Sequence, residues 1–321
     1  MPELPEVEVV RLGLAAAVTG AEITAVDVFD ERALTRHDRA RGDFASQLTG
    51  ERMGEPHRRG KFLWIPLTDS SEGTGARGAG DPRCLLAHLG MTGQLLIRDP
   101  WAKPEDEPHV RIRIELRQAD LGGRPTDPAV RPRREPHVRA PIELAIFFRD
   151  QRTFGSLAVD ELVETGDGDL VPRQVAHINR DPLDPLFDDR AFLARVAAKT
   201  SAIKRVLLDQ TTISGVGNIY ADEALWAARI HPEQPASSLS RTKAKRLLGE
   251  IRLVLGKALI EGGTSFDSQY VNVNGQAGYF VHSLNAYGRT GQPCPRCGHS
   301  IARASFMNRS SHFCPHCQRV R

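Results

Sequence analysis

Four of the chain's five cysteines lie within its last 28 residues, as Cys294-x2-Cys297 and Cys314-x2-Cys317 with 16 residues between the pairs. A segment this short cannot bury enough apolar surface to fold alone. Two knuckles that each offer two thiolates can close a tetrahedron around a soft-ligand metal, and this spacing reads as a four-cysteine zinc site. Paired disulfides are the competing explanation, disfavoured in a chain without an export signal. With four thiolate ligands no coordination position is left for a substrate. One structural Zn2+ is therefore expected, folding a hairpin too small to fold unaided. The fifth cysteine, Cys84, sits in the apolar stretch "CLLAHL" and reads as a buried thiol.

The chain of 321 residues is long enough for two domains, and its 40% hydrophobic and 26% charged residues fit a globular protein. No apolar run reaches membrane-spanning length, and the N-terminus lacks the pattern of a signal peptide, so a cytoplasmic location is expected. A net charge of +3 permits a nucleic-acid partner without demanding one. The distribution of charge says more. Basic residues gather in "HRRGK" (57–61), in "RTKAKR" (241–246) and at the C-terminus, with Arg303, Arg309, Arg319 and Arg321. Any one cluster reads as solvated surface; three beside a cysteine motif favour a polyanion.

The first half is rich in strand patterns. "AEITAVDVF" (21–29), "KFLWIPL" (61–67) and "CLLAHLGMTGQLLI" (84–97) are strand-like, and Val110, Ile112, Ile114 and Leu116 alternate strictly with polar residues. "IELAIFF" (142–148) is the expected partner of that strand. Two inserts, 69–82 and 118–141, carry Gly, Ser, Pro and charge without apolar periodicity and read as mobile surface loops. The second is flanked by two copies of "EPHVR", at 107–111 and 135–139. Beyond the Pro- and Asp-rich passage 171–189, helical spacing dominates: 188–210, 218–230 and 241–263 each read as a helix.

Two stretches carry chemistry. "MPELPEVEVV" (1–10) places Pro5 in the first turn of a helix with Glu6 and Glu8 complementing its dipole, which leaves Pro2 and Glu3 unexplained. "DQTTISGVGNIYADEAL" (209–225) reads as helix, glycine-containing turn and new helix near Asn218, whose exposed N–H groups suit an anion such as phosphate. A helix–turn–helix before a basic zinc ribbon suggests DNA.

In this order, "MPELPEVE", "RRGKFL", "HLGMTG", "DQRTFG", "GVGNIYADE", "YGRTGQPC" and the terminal cysteine ribbon resemble the bacterial formamidopyrimidine-DNA glycosylases from residue 1 to residue 319. The resemblance implies an α+β fold of two domains: an N-terminal β-sandwich with an N-terminal helix, then a helical helix–two-turn–helix domain with a four-cysteine zinc-finger hairpin. The corresponding segments are 1–160 for the catalytic sandwich, 161–185 for a linker, 186–290 for the helical domain and 291–321 for the zinc finger. DNA would lie in the cleft between the domains. The implied activity is that of a bifunctional glycosylase and abasic-site lyase of base excision repair, acting on 8-oxoguanine and formamidopyrimidines. The implied partner is double-stranded DNA with oxidised bases or abasic sites, bound by a monomer that associates with the nucleoid.

The same resemblance assigns roles. Once Met1 is removed, Pro2 offers a secondary amine with a pKa of about 8 and becomes the nucleophile at C1′. Glu3 is the general acid and Glu6 a supporting carboxylate. Lys61 and Arg309 contact phosphate and assist β- and δ-elimination. His88, Lys199 and Asn218 align with DNA-backbone contacts. Met91, Arg152 and Phe154 match the side chains that fill the gap left by an everted nucleotide; by composition alone Met91 and Phe154 would read as core. Relatives carry a second histidine two residues before His109, where this chain has Glu107, which leaves open whether His109 takes over that DNA contact. Cys294, Cys297, Cys314 and Cys317 are the metal ligands. Three rival readings are an oxidised-pyrimidine glycosylase of the same superfamily, a non-catalytic damage-binding paralogue and a metallohydrolase. The complete Met91/Arg152/Phe154 set and "PELPE" speak against the first, the presence of Pro2, Glu3 and Lys61 against the second, and the closed cysteine site against the third.

Overall fold

A computed structural model describes residues 2–69, 82–118, 142–264, 273–274 and 278–320. Both inserts, the second "EPHVR" copy and much of the loop 262–280 fall outside the described residues. The chain divides into two compact units: Met1–Arg11, Arg58–Leu63 and Arg173–Arg321 form one, Leu12–His57 and Trp64–Pro172 the other.

Helices α1 (Leu4–Val18) and α2 (Phe44–Leu48) accompany strands β1 (Glu22–Val28), β2 (Glu51–Met53), β3 (His57–Arg59), β4 (Phe62–Asp69), β5 (Arg83–His88), β6 (Gly93–Arg98), β7 (Val110–Gln118), β8 (Ile142–Asp150), β9 (Ser156–Glu164) and β10 (Leu170–Pro172). The hydrogen-bonded path runs β10-β9-β5-β4-β2-β1-β7-β8-β6. The predicted alternation is realised in β7, where Val110, Ile112, Ile114 and Leu116 are buried and the residues between them are half-buried. β8 pairs with it antiparallel, as expected, with Ile112 opposite Phe148 and Ile114 opposite Ile146.

The run 84–97 breaks in two rather than forming one strand. Gly90 has φ +60, and a Cβ there would lie 2.4 Å from the Phe154 carbonyl group and the Gly155 nitrogen, so only glycine fits. β5 and β6 then pair with β9 and β8, not with each other. Six strand steps separate β5 from β6 along the path, about 29 Å in a flat sheet. The four connecting residues span at most about 18 Å. The path must therefore fold back on itself, which is the sandwich that the resemblance implied.

The helical unit contains α3 (Asp189–Ala198), α4 (Ile203–Leu208), α5 (Asn218–Ala228) and α6 (Arg241–Ile260), followed by the hairpin β11 (Ala302–Phe306) and β12 (Arg309–Phe313). The single helix expected over 188–210 is interrupted. Lys199 is extended, and the carbonyls of Lys199 and Ser201 accept from Ser237 and Ala236 N–H. These tertiary bonds replace the helical ones. The core of this unit gathers Phe192, Ile203, Val216, Leu225, Leu247 and Ile251 around Leu4 from the amino terminus.

Candidate active site

The first residues are anchored by their own helix. Glu3 precedes α1; its carbonyl accepts from Val7 N–H at 3.2 Å, and the Glu6 carboxylate turns back to accept Glu3 N–H at 2.8 Å. This is the reciprocal half of a capping box. Pro5 lies in the first turn, where its missing N–H costs nothing. Pro2 and Glu3 are both buried, and Leu4 N–H donates to the Gly215 carbonyl at 3.0 Å.

The Glu3 side chain serves a different helix. Its carboxylate accepts N–H bonds from Gly217 at 2.7 Å, Ile219 at 2.9 Å and Tyr220 at 3.4 Å, capping α5 from 214 residues away. Gly217 is required by space rather than by backbone angle, since its φ is an ordinary −124°. A Cβ at this position would stand 2.3 Å from Glu3 Cδ. The sequence reading of this helix start as an exposed anion site is thus corrected: the anion is the chain's own carboxylate. Glu6 is equally well held, accepting from Tyr220 Oη at 2.6 Å, Thr264 N–H at 2.7 Å and Thr264 Oγ1 at 2.9 Å.

Burial raises the Glu3 pKa above its ordinary value; Lys61 opposes the rise, Glu6 adds to it and the Ile219 N–H opposes it. Lys61 is shifted the other way. Burial lowers its pKa, Glu3 counteracts and Arg309 reinforces the lowering. Burial thus favours the neutral form of both groups, a pairing of carboxyl and amine suited to proton transfer. The β3–β4 turn that carries Lys61 is fixed by Arg58, which bonds Glu8 and Asp181 at 2.9 Å each and the Gly60 carbonyl at 3.0 Å. Burial, with Glu6 beside it, also drives the Tyr220 hydroxyl well above its usual pKa.

Arg309 opens β12 opposite Phe306, just beyond a tip at Met307, which has φ +53. Its neighbour is pinned from below. Lys204, fully buried, pairs with Asp222 at 2.6 Å and donates to the Ser310 carbonyl at 3.0 Å and Ser311 Oγ at 2.8 Å. Asn218 Nδ2 reaches the same Ser310 carbonyl at 3.1 Å, and Asp222 accepts His312 N–H at 2.8 Å. Sequence reasoning missed Lys204 and Asp222. The signal was a lysine on the apolar face of "AIKRVLL" and an acid in "ADEAL", one charge of each sign at positions otherwise buried. Glu223 was missed too; it accepts the N–H groups of Asn285, Ala286 and Tyr287. Lys199 is exposed, 3.6 Å from Asp209.

The four knuckle cysteines come together with every Sγ within 4.8 Å of the others, and Cys297 and Cys314 are 3.5 Å apart. Tetrahedral thiolate ligation at about 2.3 Å needs sulfur separations of about 3.8 Å, so the donor set fits zinc after small adjustments.

The remaining predicted residues belong to the β-rich unit. His88 ends β5 and is half-buried. Met91 is 36% and Phe154 55% exposed, and the Arg152 guanidinium lies 4.8 Å from the centre of the Phe154 ring. They are loop-tip side chains, not core. Asp150, fully buried, organises that tip by accepting from Thr92 Oγ1, Arg152 N–H at 3.2 Å and Gly155 N–H at 2.7 Å. His109 is exposed with φ +71, while Glu107 is ion-paired with Arg98.

Comparison with known proteins agrees with this geometry. Residues 1–157 match the profile of the formamidopyrimidine-DNA glycosylase N-terminal domain, 178–269 its H2TH domain, and 291–320 a zinc finger found in FPG and IleRS. The chain is 56% identical over 330 residues to the formamidopyrimidine-DNA glycosylase of Leifsonia xyli subsp. xyli, covering 100% of both chains. Among solved structures it is similar to the MutM (FPG) protein of Thermus thermophilus, with TM-score 0.75, 32% identity and 100% of each chain covered. It is likewise similar to a Lactococcus lactis FPG mutant in complex with Fapy-dG-containing DNA, with TM-score 0.76, 27% identity and 99% and 100% covered.

Proposed function

The chain belongs to the formamidopyrimidine-DNA glycosylase family, and from that premise we propose that it is a bifunctional DNA glycosylase and abasic-site lyase that excises oxidised purines from double-stranded DNA. The observation that carries the reading is the amino terminus: Pro2 is buried beside a Glu3 carboxyl clamped on α5, and Lys61 and Arg309 act on the same electrostatic neighbourhood.

In this reading Met1 is cleaved, and the neutral Pro2 amine forms a bond to C1′ of the damaged nucleotide as the bond from C1′ to the base breaks, the base leaving with the electron pair and taking up a proton in exchange for the one the Pro2 nitrogen sheds. Glu3, whose hold on a proton burial strengthens, gives that proton to the sugar ring oxygen and opens the ring. The resulting iminium ion acidifies the C2′ proton; its loss expels the 3′ phosphate, and a second elimination expels the 5′ phosphate. Lys61 and Arg309 hold those phosphates, with Asn218, His88, Lys199 and His109 as further backbone contacts. Met91, Arg152 and Phe154 occupy the stack vacated by the flipped nucleotide, at an energetic cost that the plug offsets. One zinc ion, held by Cys294, Cys297, Cys314 and Cys317, would fix the hairpin that presents Arg309 and take no part in the reaction. We assign the protein to the cytoplasm, on the nucleoid when bound; among the described residues no helix is long and apolar enough to cross a membrane.

Borohydride trapping on a duplex carrying 8-oxoguanine opposite cytosine tests the proposal. A covalent adduct is expected, lost in Pro2→Gly and in protein that retains Met1. No adduct from correctly processed protein would overturn it, and stronger trapping on an oxidised pyrimidine would move the substrate class.

A further inference from the structure

The far end of α5 differs from the end capped by Glu3. Eleven residues carry the helix from Asn218 to Ala228, about 16 Å away. There a cavity of about 570 Å3 opens between the end of α5, the start of α6 and the cysteine knuckles. Arg229, Lys243, Arg246, Arg296, His316 and Arg319 are on its wall, and none of its described lining residues carries a carboxylate.

Part of this charge has a structural task. Arg296 Nη1 donates to the Trp226 carbonyl at 3.0 Å while its guanidinium lies 4.0 Å from the Trp226 ring centre, and Arg246 donates to the Ala227 carbonyl at 3.1 Å. They cap the C-terminus of α5, worth about half a negative charge. Glu250, 3.7 Å from Arg246, supplies another negative charge, and a filled tetrathiolate zinc site would supply about two more. The five arginine and lysine charges among the described lining residues still leave a surplus of about one to two positive charges. Arg229 is the clearest excess. It occupies the left-handed C-cap at φ +56, a position that favours glycine, yet it brings a guanidinium to the cavity wall.

We propose that this cavity binds phosphate groups at a site separate from the amino-terminal one, either the backbone of an undamaged duplex segment or the phosphates of a free nucleotide. Guanidinium forks match phosphate oxygens bidentately, and the volume lies in the range of small-ligand sites. The inference does not depend on the glycosylase reading.

The test uses full-length, zinc-loaded protein and the variant Arg229→Gln/Lys243→Gln/Arg319→Gln, which spares the two arginines that cap α5. Pyrophosphate titrated by calorimetry is expected to bind the parent chain at one site, and at least about tenfold more weakly to the variant. On an undamaged duplex of about 40 base pairs the variant should lower the slope of log K against log salt by about 2–3. Single-turnover excision from a lesion duplex of about 12 base pairs should stay within about twofold. A weakened pyrophosphate isotherm with an unchanged slope assigns the site to a free nucleotide; a lowered slope assigns it to duplex DNA. Identical isotherms and slopes overturn the site, and a matching loss of excision on the short duplex overturns its separateness.

Discussion

Replacing Gly217 by alanine tests the centre of the candidate site without deleting any functional group. The added methyl would sit 2.3 Å from Glu3 Cδ and 2.4 Å from Glu3 Oε1, against a carbon–carbon contact distance of about 3.5–4.0 Å. The backbone accepts alanine, so the carboxylate must retreat by more than about 1 Å. It then loses the bonds from Gly217 and Ile219 N–H, each worth about 0.5–1.5 kcal/mol to a neutral carboxyl and about 1.5–3 kcal/mol to an ionised one. Allowing for partial re-pairing, we expect a destabilisation of about 2–4 kcal/mol. A shift of this size in the group proposed to protonate the sugar oxygen should slow single-turnover excision about 100-fold. Gly249→Ala serves as control, since nothing lies within 4 Å of a Cβ there; in mid-helix it should be neutral or stabilising by up to about 1 kcal/mol. Urea denaturation and excision from an 8-oxoguanine duplex measure both. Activity within threefold and an unchanged urea midpoint in Gly217→Ala would falsify the clamp.

Lys204→Met should cost about 3–5 kcal/mol because it strands the buried Asp222 charge, and Lys204→Met/Asp222→Leu should recover much of it; equal urea midpoints for the parent and the single variant would sink this reading. For Glu3 the folded pKa is raised above 4.5, so protonation favours the fold: its contribution is complete below about pH 4.5 and lost as pH rises through the folded value. The stability of the parent relative to Glu3→Gln should therefore decline as pH rises above about 4.5, and a rise instead would show that the α5 N–H groups outweigh burial. Chelation or Cys314→Ser should weaken duplex binding at least about tenfold while most helical signal persists; unchanged affinity would remove the hairpin from the interface.

Local patterns carried much of the fold. The period-2 stretch at 110–116 became β7, its partner strand was the one named, and four cysteines at knuckle spacing converged on one point. Failures came where tertiary partners outvote local preference. Nothing in 188–210 announces that the carbonyls of Lys199 and Ser201 will be claimed by residues 236 and 237. Phe154 would have counted as core by composition, and only the motif put it on a loop. The carboxylate that fills the start of α5 is 214 residues distant in sequence, beyond the reach of any periodicity. The basic cavity was half visible: Lys243, Arg246 and Arg319 lay in basic clusters, but only folding adds Arg229 and Arg296 to them.

The burial of Pro2 sets a timetable. Residues 3, 4 and 6 are tied to Gly215, Gly217, Tyr220 and Thr264, so the amino terminus stays loose until the ribosome has made those positions. At about 5–20 residues per second that leaves an aminopeptidase about 10–50 s of free access to Met1. Pro2 is buried in the folded chain, and in the proposed reading a chain that keeps Met1 lacks its nucleophile. Overexpression that outruns the aminopeptidase should therefore yield a mixed population whose trappable fraction equals its trimmed fraction by mass spectrometry.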